Sequence, residues 1–290
     1  MKKLIALLAT LCLLLSAAAL ADCPHIDAAD YPTLDGSTAT LPLSYLLYQR
    51  ATGLDEAAAK AAIQHNKTTQ SFYNLVFGSA DLLLVYEPSQ DAWDLAAYEG
   101  TELEYKPIGL DAPVFLINDA NPVDSMTADQ VVDLYAGRIT NWKEVGGEDL
   151  PIVAYQRVEN SGSQVMVEAQ VMQGTPMMDA PVEYRPAEMG ELIDVIASYK
   201  NTADSIGYSV YYYVNNMYMQ EGIKLLSIDG VAPPNETIAD GTYPWRQAFY
   251  AVIRADAPAD SPARQLYDWL TTDEGRALIE EAGYVAVQPE

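Results

Sequence analysis

Arg157 stands four residues before Ser161-Gly162-Ser163, and the chain then carries apolar Val165, Ala169 and Met172 at i, i+4 and i+7 spacing. That spacing predicts a helix that buries those three side chains and begins at the Ser-Gly-Ser turn. A helix start leaves backbone N–H groups without partners and carries about half a positive charge, so small residues there can cradle phosphate, sulfate or carboxylate. A guanidinium nearby adds a planar clamp that can meet two oxygens at once. The same residues fit a plainer reading, in which Ser161 only caps the helix and Arg157 pairs with a surface carboxylate. A second small-residue turn, "DGST" at 35–38, precedes the helix-like "ATLPLSYLLYQRATG" and makes a second candidate cradle.

Other chemistry has little to stand on. Beyond the leader described below, His25 and His65 form no pair at metal-ligand spacing, no thiol sits beside a base, and both histidines are expected at the surface. The chain is therefore expected to be no enzyme and to hold no metal or cofactor. A formal net charge of −25 argues against non-specific binding to nucleic acid or to an anionic membrane, since both need a basic patch. Any anion site must then be a local arrangement of donors.

The elements that must position those donors read as α/β. Short apolar runs at 82–85, 114–117, 152–155, 206–210 and 249–253 alternate with helix-like stretches. Proline and glycine cluster in "YKPIGLDAP" (105–113) and "IDGVAPPNETIADGTYP" (228–244), where the chain is expected to cross between two lobes. This gives a first lobe from 22–110 and 228–290, a second from 111–227, and a cleft between them where helices begin.

Residues 1–21 have a basic start, an apolar run and small residues at Ala19 and Ala21, the layout of a secretory signal peptide. Cys12 lies inside it, which leaves Cys23 without an internal disulfide partner. "LADC" has the outline of a bacterial lipoprotein cleavage box, with Asp22 where such boxes carry a small neutral residue, so Cys23 is a candidate lipid anchor. The expected location is outside the cytoplasm, on the outer face of the cell membrane or in the periplasm. No later stretch is long and apolar enough to span a bilayer.

The run "NPVDSMTADQVVDLYAGRITNWKEVGGEDLPIVAYQRVENSGSQ" resembles the central signature of the phosphate-binding proteins that serve ABC importers. "DGSTATLP", "SIGYSVYYY", "IDGVAPPNETIADGTYP" and "LTTDEGRALIEEAGYVAV" extend the similarity over nearly the whole mature chain. The resemblance implies a type II periplasmic-binding-protein fold, a monomer with inorganic phosphate as ligand and an ABC importer permease as partner. It also implies an anion site formed by Thr40, Leu41, Thr68, Arg157, Ser161, Gly162 and Ser163, with Ser37 and Thr38 as adjacent candidates. After the "AD" of "ADLLLVYEPS" the chain departs from the family pattern, and Glu87 becomes the candidate carboxylate that accepts phosphate's remaining proton and repels sulfate. A same-fold binder of another oxyanion or of a small organic acid, and a surface sensor or adhesion module, are the alternatives.

Overall fold

The structure, a computed structural model, describes residues 22–198 and 203–289. The expected leader at 1–21 lies outside the described residues. From the N-terminal side the chain forms β1 (Leu34–Gly36), α1 (Leu41–Thr52), α2 (Glu56–Ala62), α3 (Thr68–Val76), β2 (Leu82–Val85), α4 (Gln90–Glu99) and β3 (Leu103–Asp111). It continues through β4 (Pro113–Asn118), β5 (Ser125–Met126), α5 (Ala128–Tyr135), β6 (Val153–Ala154), α6 (Gly162–Met166), α7 (Met189–Ala197) and β7 (Ser205–Val210). The remainder is β8 (Ile223–Leu225), β9 (Ser227–Ile228), α8 (Asn235–Asp240), β10 (Gln247–Arg254), α9 (Pro262–Trp269), α10 (Asp273–Glu281) and β11 (Val285–Ala286).

Two mixed sheets organise these elements. The first has the order β1-β2-β10-β3-β11 and the second β6-β7-β4-β8, while β5 and β9 form a separate parallel pair. All five apolar runs become strands, and β2, the run Leu-Leu-Leu-Val, is buried at every position. A strand covered on both faces has no polar side, so it reads as an unbroken apolar run. One buried cluster joins Leu43, Leu47, Leu84 and Phe249 of the first half to Leu116, Ile193 and Val210 of the second. A second cluster, around Phe115, Tyr135, Trp142 and Tyr208, centres on the second sheet, with Leu110 of β3 packed against it.

Two local expectations shift. The chain does cross within "YKPIGLDAP", at 111–113, but the segment is no loop: β3 runs through 105–111 beside β10, with a register slip between Phe249 and Tyr250 that leaves Ile108 unpaired. Such a bulge accommodates a proline that cannot donate to the ladder. Gly109 fits there because a Cβ would lie 2.3 Å from the Phe249 ring. Ile238, Tyr243 and Trp245 still pack in the second core, while α8 also meets β3 and β11 of the first sheet, and the next strand of that sheet, β10, begins at Gln247. Finally, α6 widens after Met166 into a π-helical turn over Val167–Met172. Its longer i→i+5 repeat moves the buried face to Met166, Val167, Val171 and Met172, leaving Ala169 exposed and Val165 half-buried.

Asp111, 2% exposed, sits where the chain passes from the first sheet to the second. Its Oδ1 accepts from the backbone N–H of Ala112 (2.7 Å) and Tyr212 (3.1 Å), and its Oδ2 from the Tyr86 hydroxyl (2.6 Å). Burial pushes its pKa up to about 6 against the pull of these hydrogen bonds. Unfolded aspartates titrate near 3.9, so the folded state holds this proton more tightly. The stability from this group is therefore complete below about pH 4 and lost as pH rises through about 6. Asp111→Asn removes that dependence. Urea unfolding from pH 4 to 7 should show the variant gaining on the order of 2–3 kcal/mol relative to the parent chain as pH rises; parallel profiles would show that Asp111 carries no such proton.

Candidate functional site

The two small-residue turns meet. Ser37 and Thr38 lead from β1 through a 3-10 turn (Thr38–Thr40) into α1, and Ser161, Gly162 and Ser163 open α6 in the other half. Between them lies a cavity of about 30 Å³, which Thr68, Arg157 and Tyr86 also line. A single water needs roughly 10–15 Å³ of such space, so the cavity suits one compact ion and not a metabolite. Larger open grooves of about 470 and 580 Å³ lie elsewhere, and one of about 480 Å³ adjoins the cavity, with Arg157 lining both. We rank the small cavity above them on its donors rather than on size.

Arg157 supplies the charge. It is 4% exposed, and its guanidinium donates from Nε to Pro186 O (3.1 Å), from Nη2 to Ala187 O (2.9 Å) and from Nη1 to Ser163 Oγ (3.3 Å). Its backbone N–H donates to Tyr208 Oη (3.0 Å) and Gln164 Oε1 (3.1 Å). Among the described residues it has no ion-pair partner: Glu188 lines the cavity but is held by Lys67 Nζ at 2.6 Å. Burial accordingly pulls the guanidinium's pKa below its ordinary value, with Tyr208, Glu188, Tyr213 and Glu191 acting the other way. An unpaired buried cation is costly, and an anion in the cavity would supply the missing countercharge.

The hydroxyls are set locally. Ser37 Oγ accepts from the Tyr86 backbone N–H (3.1 Å) and lies 2.8 Å from Thr68 Oγ1. Ser161 Oγ caps α6 by accepting from Gln164 N (3.3 Å), so the capping half of the plainer reading holds, while its other half, Arg157 paired with a surface carboxylate, does not. Capping uses a lone pair and leaves the hydroxyl hydrogen free to donate. Thr68 opens α3 after Lys67, whose φ of 69° and ψ of 166° fall in a region that is nearly glycine-only. Backbone of that kind costs ~1–3 kcal/mol and persists where its surroundings over-determine it.

Three expected site residues lie apart. In the 3-10 turn Thr40 N donates to Ser37 O and Leu41 N to Thr38 O, and the Thr40 hydroxyl contacts Ser37 O (2.9 Å) and Leu84 O (2.6 Å). Their donors are committed to the turn, and neither residue lines the cavity. Glu87 accepts from Trp93 Nε1 (3.0 Å), and partial burial raises its pKa. Tyr86 takes the cavity wall, while Glu87, held by Trp93, does not line it. His65, expected at the surface, is half-buried: its Nδ1 lies 2.7 Å from Ser37 O and its Nε2 3.0 Å from Ser44 Oγ, and burial lowers its pKa. Cys23 is also half-buried, and burial pushes its thiol up to about 11. Sequence reasoning missed Lys67, Tyr86, Glu188, Met189 and Val210 as lining residues. Lys67 and Tyr86 adjoin the expected residues Thr68 and Glu87 and could have been found; the other three carry no local pattern.

Comparison with known proteins fits this geometry. A family model described as the PBP superfamily domain matches residues 24–274. The chain belongs to the PBP superfamily. Among curated relatives, the phosphate-binding protein PstS of Borreliella burgdorferi is 24% identical over 298 residues, covering 99% of this chain and 100% of its own. A phosphate-bound structure from Clostridium perfringens superimposes with a TM-score of 0.65 at 20% identity, covering 88% of this chain and 98% of that one. An ABC-type phosphate transport receptor from Vibrio cholerae gives 0.64 at 21%, covering 89% and 100%. At these identities the solved structures establish the fold. In this superfamily member the expected α/β, type II arrangement is the observed one.

The halves touch at the cavity. A Cβ on Gly162 would lie 2.2 Å from Thr68 Oγ1. Gly162→Ala should therefore cost ~1–3 kcal/mol by overpacking, and Thr68→Ala in the same chain should restore most of that loss. Thermal unfolding of the four combinations checks it; equal penalties with and without Thr68 would mean that the two turns do not press on one another.

Proposed function

We propose that the chain is an extracytoplasmic solute-binding protein that captures inorganic phosphate and delivers it to an ABC importer. The observation that carries this reading is the buried Arg157 guanidinium, without a carboxylate partner, facing a cavity sized for one compact ion. The ligand set is Arg157, the hydroxyls of Ser37, Thr38, Thr68, Ser161 and Ser163, and the backbone at Gly162. Thr40, Leu41 and Glu87 act behind this shell. Glu188 is the carboxylate on the cavity wall, and an acceptor there favours an oxyanion that still carries a proton over sulfate. The phosphate-binding relative that aligns end to end and the phosphate-bound neighbour support the same ligand. No catalytic step is assigned to the site: its hydroxyls lack an adjacent base, and His65 is engaged with Ser37 O and Ser44. We further propose export by the leader and, at Cys23, a lipid anchor. Among the described residues no helix is long and apolar enough to cross a membrane.

Calorimetric titration should show one phosphate per chain, with sulfate and molybdate much weaker; tight sulfate binding would instead favour another oxyanion. Arg157→Ala should weaken phosphate ~30-fold to a few thousand-fold, since truncating one partner of a buried charge pair costs about 2–5 kcal/mol. Circular dichroism checks that the variant folds, and a change under about threefold, the size expected of an exposed ion pair, would remove phosphate capture as the function. Mass spectrometry of the native protein should find an acylated Cys23 at the mature start; a chain beginning at Asp22 with a free thiol excludes the anchor.

A further inference from the structure

Asp35 has no part in the ligand set above, yet it is the most heavily bonded carboxylate near it. It lies within β1, is 2% exposed, and forms no ion pair among the described residues. Its Oδ1 accepts from Gly36 N (2.7 Å) and Asn66 N (2.7 Å), and its Oδ2 from Asn66 Nδ2 (2.9 Å) and Asn74 Nδ2 (2.7 Å). These donors come from its own turn, from the loop before α3, and from α3 itself. The charge is thus held entirely by neutral N–H groups.

The strand does not need that charge. β1 pairs with β2 through Leu34, Asp35 and Gly36 backbone, and an apolar side chain would be buried there at lower cost. What the carboxylate does hold is the 65–67 loop, where Asn66 is bonded twice and the next residue, Lys67, adopts its unusual backbone. Thr68 follows directly, with its Oγ1 2.8 Å from Ser37 Oγ. His65 ties the same loop to Ser37 O from the other side.

We propose that Asp35 is the positioning residue of the anion site, fixing the start of α3 against the Ser37–Thr38 turn so that both present their hydroxyls to one ion. The proposal rests on the phosphate-binding reading for its ligand. It predicts that the loss of Asp35 is felt in affinity and not only in stability.

In Asp35→Asn an amide nitrogen replaces an oxygen that accepts two N–H groups. At 20 °C, with folding confirmed, phosphate should bind at least tenfold more weakly. Asn66→Ala, which removes one side-chain bond from a surface residue, should weaken it about three- to tenfold. Hydrogen exchange of the ligand-free variants should quicken over residues 36–40 and 65–70 and stay unchanged elsewhere. A merely structural Asp35 gives lower melting temperatures, affinities within twofold of the parent chain and a uniform rise in exchange, and that result overturns the proposal. If Asp35→Asn does not fold, Asn66→Ala decides. If the parent chain binds no phosphate, the phosphate reading fails on its own, and the exchange pattern still decides whether Asp35 holds the two turns.

Discussion

A buried guanidinium with no carboxylate partner among the described residues sets the terms for the rest of this structure. Burial leaves Arg157 to the carbonyls of Pro186 and Ala187 and to Ser163 Oγ, which orient its planar fork but neutralise none of its charge. Charge-assisted bonds to carbonyls recover only part of the desolvation cost. The segment before α7 must therefore stay against the start of α6. Tyr208 and Gln164, which share the Arg157 backbone N–H, must hold from below. The whole chain carries a net charge of −25. A long-range field of that sign repels anions, so attraction has to come from groups within a few ångströms. Arg157, the hydroxyls and two helix starts are the ones present.

The same constraint explains why the site lies between two halves. Each half contributes a turn of small residues, and neither turn encloses an ion alone. The chain crosses from the first sheet at Asp111 and returns at Gln247, and around both points aromatic residues fill the joint. Tyr212 stacks on Tyr284 at 3.5 Å, the Tyr284 hydroxyl donates to Ala39 O (2.6 Å), and Tyr86 reaches from the cavity wall to Asp111. The joint is thus bonded directly to the Thr38–Thr40 turn. A change at the crossover is felt at Ser37 through Tyr86, whose backbone N–H is bonded to the Ser37 hydroxyl.

Much of the fold was legible because its strands are buried on both faces and its turns are made of small residues. Five apolar runs became β2, β4, β6, β7 and β10. The short β1 and the proline-bearing β3 escaped because their residue types signal turns, and only pairing with β10 makes Leu103–Asp111 a strand. At the site, Arg157 and Ser161 to Ser163 were readable from local pattern. Thr40, Leu41 and Glu87 lie off the cavity for reasons that need coordinates: a 3-10 turn that commits its own N–H groups, and an indole N–H of Trp93 that holds the Glu87 carboxylate. Asp35 and Glu188 could not be read at all, since each gains its meaning from residues 30 or more positions away.

At the mouth of the cavity, Lys67 pairs with Glu188 at 2.6 Å, Asn160 Nδ2 donates to Asp91 Oδ2 at 3.1 Å, and Thr69 Oγ1 donates to Asn160 O at 2.9 Å. All three link the α3–α4 side to the α6–α7 side. The ion pair is about half exposed, and such pairs contribute only ~0–1 kcal/mol. Burying an uncompensated guanidinium opposes closure by more than that. On the proposed function the balance changes when phosphate enters: the anion pairs with Arg157, the desolvation cost is offset, and the weak contacts at the rim then fix the geometry of a closure that the interior drives.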